Sequence, residues 1–429
     1  MNQNIYKIPN TQPYLEIMTG KLTGKLAAPP SKSISHRYLI LAALSRKPCI
    51  IEKVLLSEDV SITLHALRLM GFEWENRFNS ISFSGNREQP ADQVTIDLGN
   101  SGTSARLLIA IAAALPGSYL FTGSARMLER PMLPLIEALI QLGVNIKHER
   151  GYLPVQIEGG VIKGGEVQVD TSLSSQFLSA LMILAPLTED GLHIITSGSL
   201  VSHSYVQLTS SILKTTGIKI EEKKAGVIIG GQQKYKISRV EVEGDFSSAS
   251  YFAVGAAISG GSMLINNLNP ESLQGDRIVF DILRKAGAAV YWNNREVHVE
   301  AGKLNGIDEN MNSQPDLVPT MTIMALFGTG LSRLRKIQHL RFKETDRLEA
   351  LIKNIRKLGG HISLEKDDLI IEPVPLHGAI IPTFNDHRIA MSFALAGLCI
   401  PGIKIENPGC VDKSFPEFWH FFQSFTRKN

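Results

Sequence analysis

The chain has 429 residues, with 44 lysines and arginines against 41 aspartates and glutamates. The resulting net charge of +3 excludes a dedicated nucleic-acid binder, which would carry a clustered basic surface. No run of 18 apolar residues occurs, and the start lacks the basic end and apolar stretch of a signal peptide, so a soluble cytoplasmic protein outside the membrane is expected. Cys49, Cys399 and Cys410 form no CxxC pair and the histidines show no HExxH spacing, so neither a disulfide framework nor a metal site is supported.

Taken in chain order, the predicted elements repeat. Gly71, Gly143, Gly217, Gly287 and Gly359 are 72, 74, 70 and 72 residues apart, and each has Leu or Ile four positions earlier. Each is followed by an alternating strand, a polar turn and a second strand, which reads as a helix with a glycine stop leading into a hairpin. A second series runs out of phase. Six apolar helical stretches, residues 38–44, 107–115, 177–184, 251–258, 321–327 and 389–398, each follow a polar leader that supplies an N-cap. The unit is strand, polar cap, buried helix, strand, amphipathic helix, glycine, hairpin, and the chain holds almost six.

The sixth unit reaches an amphipathic helix at 415–425 without a hairpin, while residues 14–26 precede the first cap as an orphan strand and turn. The N-terminal segment is therefore expected to complete the last unit. Two three-unit lobes follow: residues 1–29 with 244–429 as a discontinuous lobe, and residues 30–243 as a continuous one. The expected class is α/β (α+β), built of six βαβαββ-type repeats.

Buried helices with polar caps present unpaired backbone N–H groups and positive dipole ends, which suit anions. Taken singly, such caps only stop helices. Their neighbours are basic, however: Lys32 and Arg37 flank the first, Arg106 lies one turn into the second, and Arg388 follows His387 in the sixth. Lys343 to Arg347 begins an amphipathic helix with mixed charges, and Glu129-Arg130-Pro131 opens another, with Pro131 suited to the first turn.

Seven motifs run in order from residue 30 to residue 416: Pro30-Ser31-Lys32-Ser33-Ile34-Ser35-His36-Arg37, Leu98-Gly99-Asn100-Ser101-Gly102-Thr103, Glu129-Arg130-Pro131, Ser174-Ser175-Gln176-Phe177, Lys343-Glu344-Thr345-Asp346-Arg347-Leu348, Asn385-Asp386-His387-Arg388 and Lys413-Ser414-Phe415-Pro416. Together they resemble the 5-enolpyruvylshikimate-3-phosphate synthases of the enolpyruvyl transferase family. The resemblance implies a two-lobe fold, three repeats per lobe, with an active site in the interlobe cleft. It implies a cytoplasmic monomer that joins phosphoenolpyruvate to shikimate-3-phosphate in the shikimate pathway, without metal or organic cofactor. Lys32, Ser33, Arg37, Ser174, Ser175, Gln176, Ser202, Tyr205, Asp316, His339 and Lys343 would contact shikimate-3-phosphate. Lys32, Gly102, Arg130, Gln176, Arg347, Arg388 and Lys413 would hold phosphoenolpyruvate. Asp316 is similar to the family's proton acceptor and Glu344 to its donor, with Lys32 reaching both substrates. Two phosphates and two carboxylates call for such a ring of cations.

Two positions depart from the family pattern. His339 stands where the family often has Asn, and Leu107 where some members have Pro, which bears on sensitivity to glyphosate, a mimic of phosphoenolpyruvate in this family. A related UDP-N-acetylglucosamine enolpyruvyl transferase would need a reactive cysteine at position 125, which is Ala125. A noncatalytic phosphoanion-binding protein on the same scaffold would have no use for Asp316 and Glu344 together.

Overall fold

The computed structural model describes residues 13–90 and 92–427; the first ten residues, read above for a leader, lie outside them. The chain forms two compact units, crossing from one to the other between Pro29 and Pro30 and back between Val242 and Glu243.

The unit that begins at Pro30 contains three four-stranded sheets of one design. In each, two parallel strands are followed by an antiparallel hairpin. Gly165–Asp170 lies parallel to Leu192–Ser197, which pairs with Gly226–Ile229 and then Ile220–Lys223. Val94–Asp97, Gly117–Thr122, Tyr152–Gly159 and Asn145–Glu149 repeat the order. In the remaining sheet the leading strand is Arg239–Glu241, parallel to Cys49–Glu52. Helices Lys32–Leu44, Gly102–Ala113 and Gln176–Leu184 fill the middle; they are apolar almost all round, and the sheets and the amphipathic helices enclose them in one core.

The other unit repeats the plan around helices Phe246–Ser259, Val318–Leu326 and His387–Cys399. Here residues 14–26 divide, which corrects the expectation that they complete the sixth repeat together. Tyr14–Glu16 does pair with Lys404–Glu406 of that repeat. Lys21–Ala27 instead lies parallel to Ser262–Asn266 and leads the fourth repeat. Both crossings therefore fall between a leading strand and the buried helix that follows it in the chain, so each strand stays in one unit while the next helix belongs to the other. Periodicity is local and cannot show which sheet takes a strand.

The five predicted glycine stops all have left-handed backbones, with φ of 92°, 80°, 87°, 115° and 83° from Gly71 to Gly359. Side chains would be strained there. The caps are less uniform than expected. Ser101, Asp245 and Asp386 accept backbone N–H bonds, whereas Ser31 and Ser175 make no such bond. The fifth buried helix is capped by Leu317, not by Asp316, because the Asp316 carboxylate is drawn into stronger charge-assisted bonds described below. Two boundaries also move. The helix expected at Pro131 starts at Leu133 with Pro134 in its first turn, and Glu129 instead closes a separate turn, Ala125–Leu128. The last amphipathic helix spans Phe418–Phe425, shorter than the expected 415–425.

Candidate active site

The expected site residues form two groups, one in each unit. In the Pro30–Val242 unit, the start of the helix Gly102–Ala113 is the centre of a buried polar cluster. The Arg106 Nη1 donates to Gln176 Oε1 at 2.8 Å, and Gln176 Nε2 donates to Thr103 Oγ1 at 3.0 Å. Arg130, also buried, donates from Nη1 to the Asn100 carbonyl at 3.2 Å. Gly102 sits between these cations: a Cβ there would come within 2.5 Å of Arg130 Nη2 and 2.7 Å of Arg106 Nη1. Its φ is not left-handed. The left-handed turn is made three residues earlier by Gly99, at φ 51°, so what a side chain at Gly102 would meet is the two guanidinium groups and not a backbone restriction.

Lys32, in the first turn of Lys32–Leu44, ion-pairs with the buried Asp59 at 2.9 Å. Arg37 is buried and spends its donors on the protein: Nε on Thr209 Oγ1 at 2.8 Å, Nη1 on the Ser33 carbonyl at 2.9 Å, and Nη2 on the Tyr205 carbonyl at 3.4 Å. Burial lowers its pKa to about 10, with Tyr205 opposing. Arg37 thus joins the helix holding Ser33 to the helix holding Tyr205. Ser174 and Ser175 are buried just before Gln176, with Ser174 Oγ accepting the Gln176 N–H at 3.2 Å. Ser202 has a left-handed backbone, φ 53°, and a buried hydroxyl without a hydrogen-bond partner. Strain and an orphaned donor at one residue are marks of a ligand position.

In the second group Arg347 is a hub. Fully buried, it donates from Nη1 to Asp316 Oδ1 at 2.9 Å, from Nη2 to Glu344 Oε2 at 2.7 Å, and from Nε to Asp386 Oδ2 at 2.8 Å. Asp316 receives a second guanidinium, Arg388 Nη2, at 2.8 Å. Burial pushes the Asp316 pKa up, but Arg388, Arg347 and Lys343 together outweigh it and hold the carboxyl well below the usual carboxylate range. Lys343 and Glu344 lie just before the helix Arg347–Lys357, and Lys413 is buried at the end of the turn Pro408–Lys413. His339 is buried, and burial with nearby Lys343 lowers its pKa to about 3, so the ring is neutral; its Nε2 has no hydrogen-bond partner.

Sequence reasoning missed several groups. In the sequence Arg106 is only a flanking cation, and Asp59, Asp386 and Asp276 carry no local signal of partnership. Asp276 is a buried carboxyl whose Oδ2 accepts from the Ser247 hydroxyl. Burial first, and then Asp316, raise its pKa to about 7.

A family model described as EPSP synthase (3-phosphoshikimate 1-carboxyvinyltransferase) matches residues 18–422. The chain belongs to that family. Curated EPSP synthase relatives include 3-phosphoshikimate 1-carboxyvinyltransferases of Colwellia psychrerythraea, 37% identical over 412 residues, and of Methanococcoides burtonii, 39% identical over 410. These alignments cover 93% and 94% of this chain and 96% and 95% of the relatives. A solved EPSP synthase from Acinetobacter baumannii matches with a TM-score of 0.79 at 27% identity, covering 97% of this chain and 98% of that one. The two-lobe enolpyruvyl transferase fold expected from the motifs is the fold of this EPSP synthase family member.

Proposed function

We propose that the chain transfers the enolpyruvyl group of phosphoenolpyruvate to the 5-hydroxyl of shikimate-3-phosphate, releasing phosphate. The observation that carries the mechanism is that Asp316 and Glu344 bind the same guanidinium, Arg347. Addition to an enol phosphate needs a base for the hydroxyl and an acid for the carbon end. In this reading Asp316, ionised at neutral pH, takes the hydroxyl proton as the oxygen bonds to C2, while Glu344 protonates C3. Elimination returns a proton from C3 to Glu344, and the proton on Asp316 leaves with the phosphate.

A low carboxyl pKa makes Asp316 available as a carboxylate but a weak base. A substrate carboxylate arriving at Arg347 and Arg388 competes for their donors and raises that basicity, so donor binding itself readies the base. Arg130, Gln176, Lys32 and Lys413 would complete the donor's neutralisation around the bare Gly102 backbone. Ser174, Ser175, Ser202, Tyr205, Ser33, Arg37 and Lys343 would hold shikimate-3-phosphate. His339, neutral and with an unpartnered ring nitrogen, offers that substrate one hydrogen bond in place of an amide.

The setting proposed is a cytoplasmic monomer acting on two small anions, with no cofactor or nucleic acid. Among the described residues, no helix is long and apolar enough to cross a membrane. Phosphate release from phosphoenolpyruvate tests the activity: it should require shikimate-3-phosphate and fail with UDP-N-acetylglucosamine. Release without an acceptor, or with the nucleotide sugar alone, would overturn the assignment.

A further inference from the structure

Behind the first group of site residues, four polar side chains lie in the core of the Pro30–Val242 unit. His36, Thr63, Ser104 and Ser101 are all fully buried. His36 Nδ1 and Thr63 Oγ1 are 2.7 Å apart, Thr63 Oγ1 and Ser104 Oγ 2.8 Å, and Ser104 Oγ and Ser101 Oγ 2.6 Å. The chain passes through three helices, Lys32–Leu44, Glu58–Leu69 and Gly102–Ala113, whose neighbouring residues Leu39, Ile40, Val60, Leu64, Leu107 and Leu108 are apolar and buried. Val in place of Thr63 and Ala in place of the serines would fill the same core without polar atoms to satisfy. A polar network in such a place gives direction, because hydrogen bonds fix how helices sit along one another where apolar contacts tolerate sliding.

Each member adjoins a group of the site. His36 precedes Arg37. Thr63 is one turn beyond Asp59, the partner of Lys32, and the Ser104 hydroxyl also reaches the Asp59 carbonyl at 3.4 Å. Ser104 lies midway between Gly102 and Arg106, and Ser101 caps their helix by accepting the Ser104 N–H. We propose that the chain His36, Thr63, Ser104, Ser101 is a positioning device for the phosphoenolpyruvate side of the site. It pins the first turn of the Gly102 helix against the Asp59 helix and so sets where Gly102, Arg106 and the Lys32 to Asp59 pair stand. The proposal rests on the reading of Gly102 and its neighbouring cations as the donor's seat.

Thr63→Val removes the central hydroxyl at nearly constant volume, and Thr63→Ser restores it. With the full-length protein, KM for phosphoenolpyruvate should rise about fivefold or more in Thr63→Val, the scale of one lost net hydrogen bond, and return in Thr63→Ser. KM for shikimate-3-phosphate should change less. Ser104→Ala, broken at the next link, should repeat the pattern and serves if Thr63→Val fails to fold. Equal KM values for phosphoenolpyruvate in Thr63→Val and Thr63→Ser would overturn the positioning role while leaving the activity assigned. A parallel rise in both KM values with a fall in melting temperature would overturn it too, as core packing alone. No turnover by the wild-type protein would overturn both readings.

Discussion

Gly102 lies directly under the guanidinium of Arg130: a methyl group on its α-carbon would stand 2.6 Å from Arg130 Cζ. The obstructing atoms are the ends of long side chains, so the cations would yield before the backbone did. Gly102 is also the first residue of its helix, where alanine is well tolerated. Gly102→Ala is therefore expected to melt like the wild type and to bind shikimate-3-phosphate normally. Its KM for phosphoenolpyruvate should rise several-fold, and inhibition by the bulkier glyphosate should weaken more. A lowered melting temperature with unchanged ligand ratios would return Gly102 to a purely structural role.

Asp316→Ala and Glu344→Gln should each lower kcat by about 10² or more, the usual scale for a positioned acid or base. Glu344→Gln keeps a group that can bond to Arg347, so calorimetric binding of shikimate-3-phosphate should persist. Either variant turning over at the wild-type rate would remove that residue from the mechanism.

Arg347→Met would leave Asp316, Glu344 and the fully buried Asp386 without their shared cation. Stranding buried carboxylates costs far more than losing a surface pair, about 3–5 kcal/mol. Urea denaturation should show that loss at pH 7, and milder acid, by protonating carboxylates, should recover part of it. A wild-type midpoint would mean that the hub is not a structural keystone.

Asp276 sets a pH dependence of the opposite sign from ordinary carboxylates. Its folded pKa, about 7, lies above the unfolded value of 3.8, so the folded state holds the extra proton between the two. That contribution to stability is complete below the lower value and is lost as pH rises through the upper. Asp276→Asn carries a permanently neutral group of the same shape. The melting temperature of the variant relative to wild type should climb from about pH 4 to pH 7 and then level off, at roughly 2–4 °C per kcal/mol gained. A constant difference across that window would show that Asp276 is ionised throughout.

The glycine stops and the six buried helices were legible because each depends on a few neighbouring residues: a left-handed glycine after an amphipathic turn, or an apolar run behind a polar leader. What stayed hidden depends on distant pairing. Asp316, Glu344 and Asp386 meet at Arg347 from three separate segments, and only the resemblance placed the first two in one reaction. Asp59 has the look of any acidic residue in a first helical turn, and its partnership with Lys32 appears only once two helices are side by side. Asp316 itself illustrates the conflict, since this residue of the polar leader before the fifth buried helix is claimed by two guanidinium groups instead of capping the helix. Lys21–Ala27 reads as a strand in either sheet, and its choice is made by a partner more than 230 residues away.

That strand also orders events during synthesis. All the sheets of the Pro30–Val242 unit are available once residue 241 has left the ribosome, because Arg239–Glu241 closes the first of them. The other unit must wait: Lys21–Ala27, made before all of these, finds Ser262–Asn266 only later and is flanked by Thr426–Arg427 last of all. From residue 241 until Ser262–Asn266 has emerged, a nascent chain thus carries every strand of one unit together with an unpaired Lys21–Ala27. A strand left open while the whole Pro30–Val242 unit is made is exposed to pairing with other chains, so chaperone dependence in this protein should concentrate at Lys21–Ala27.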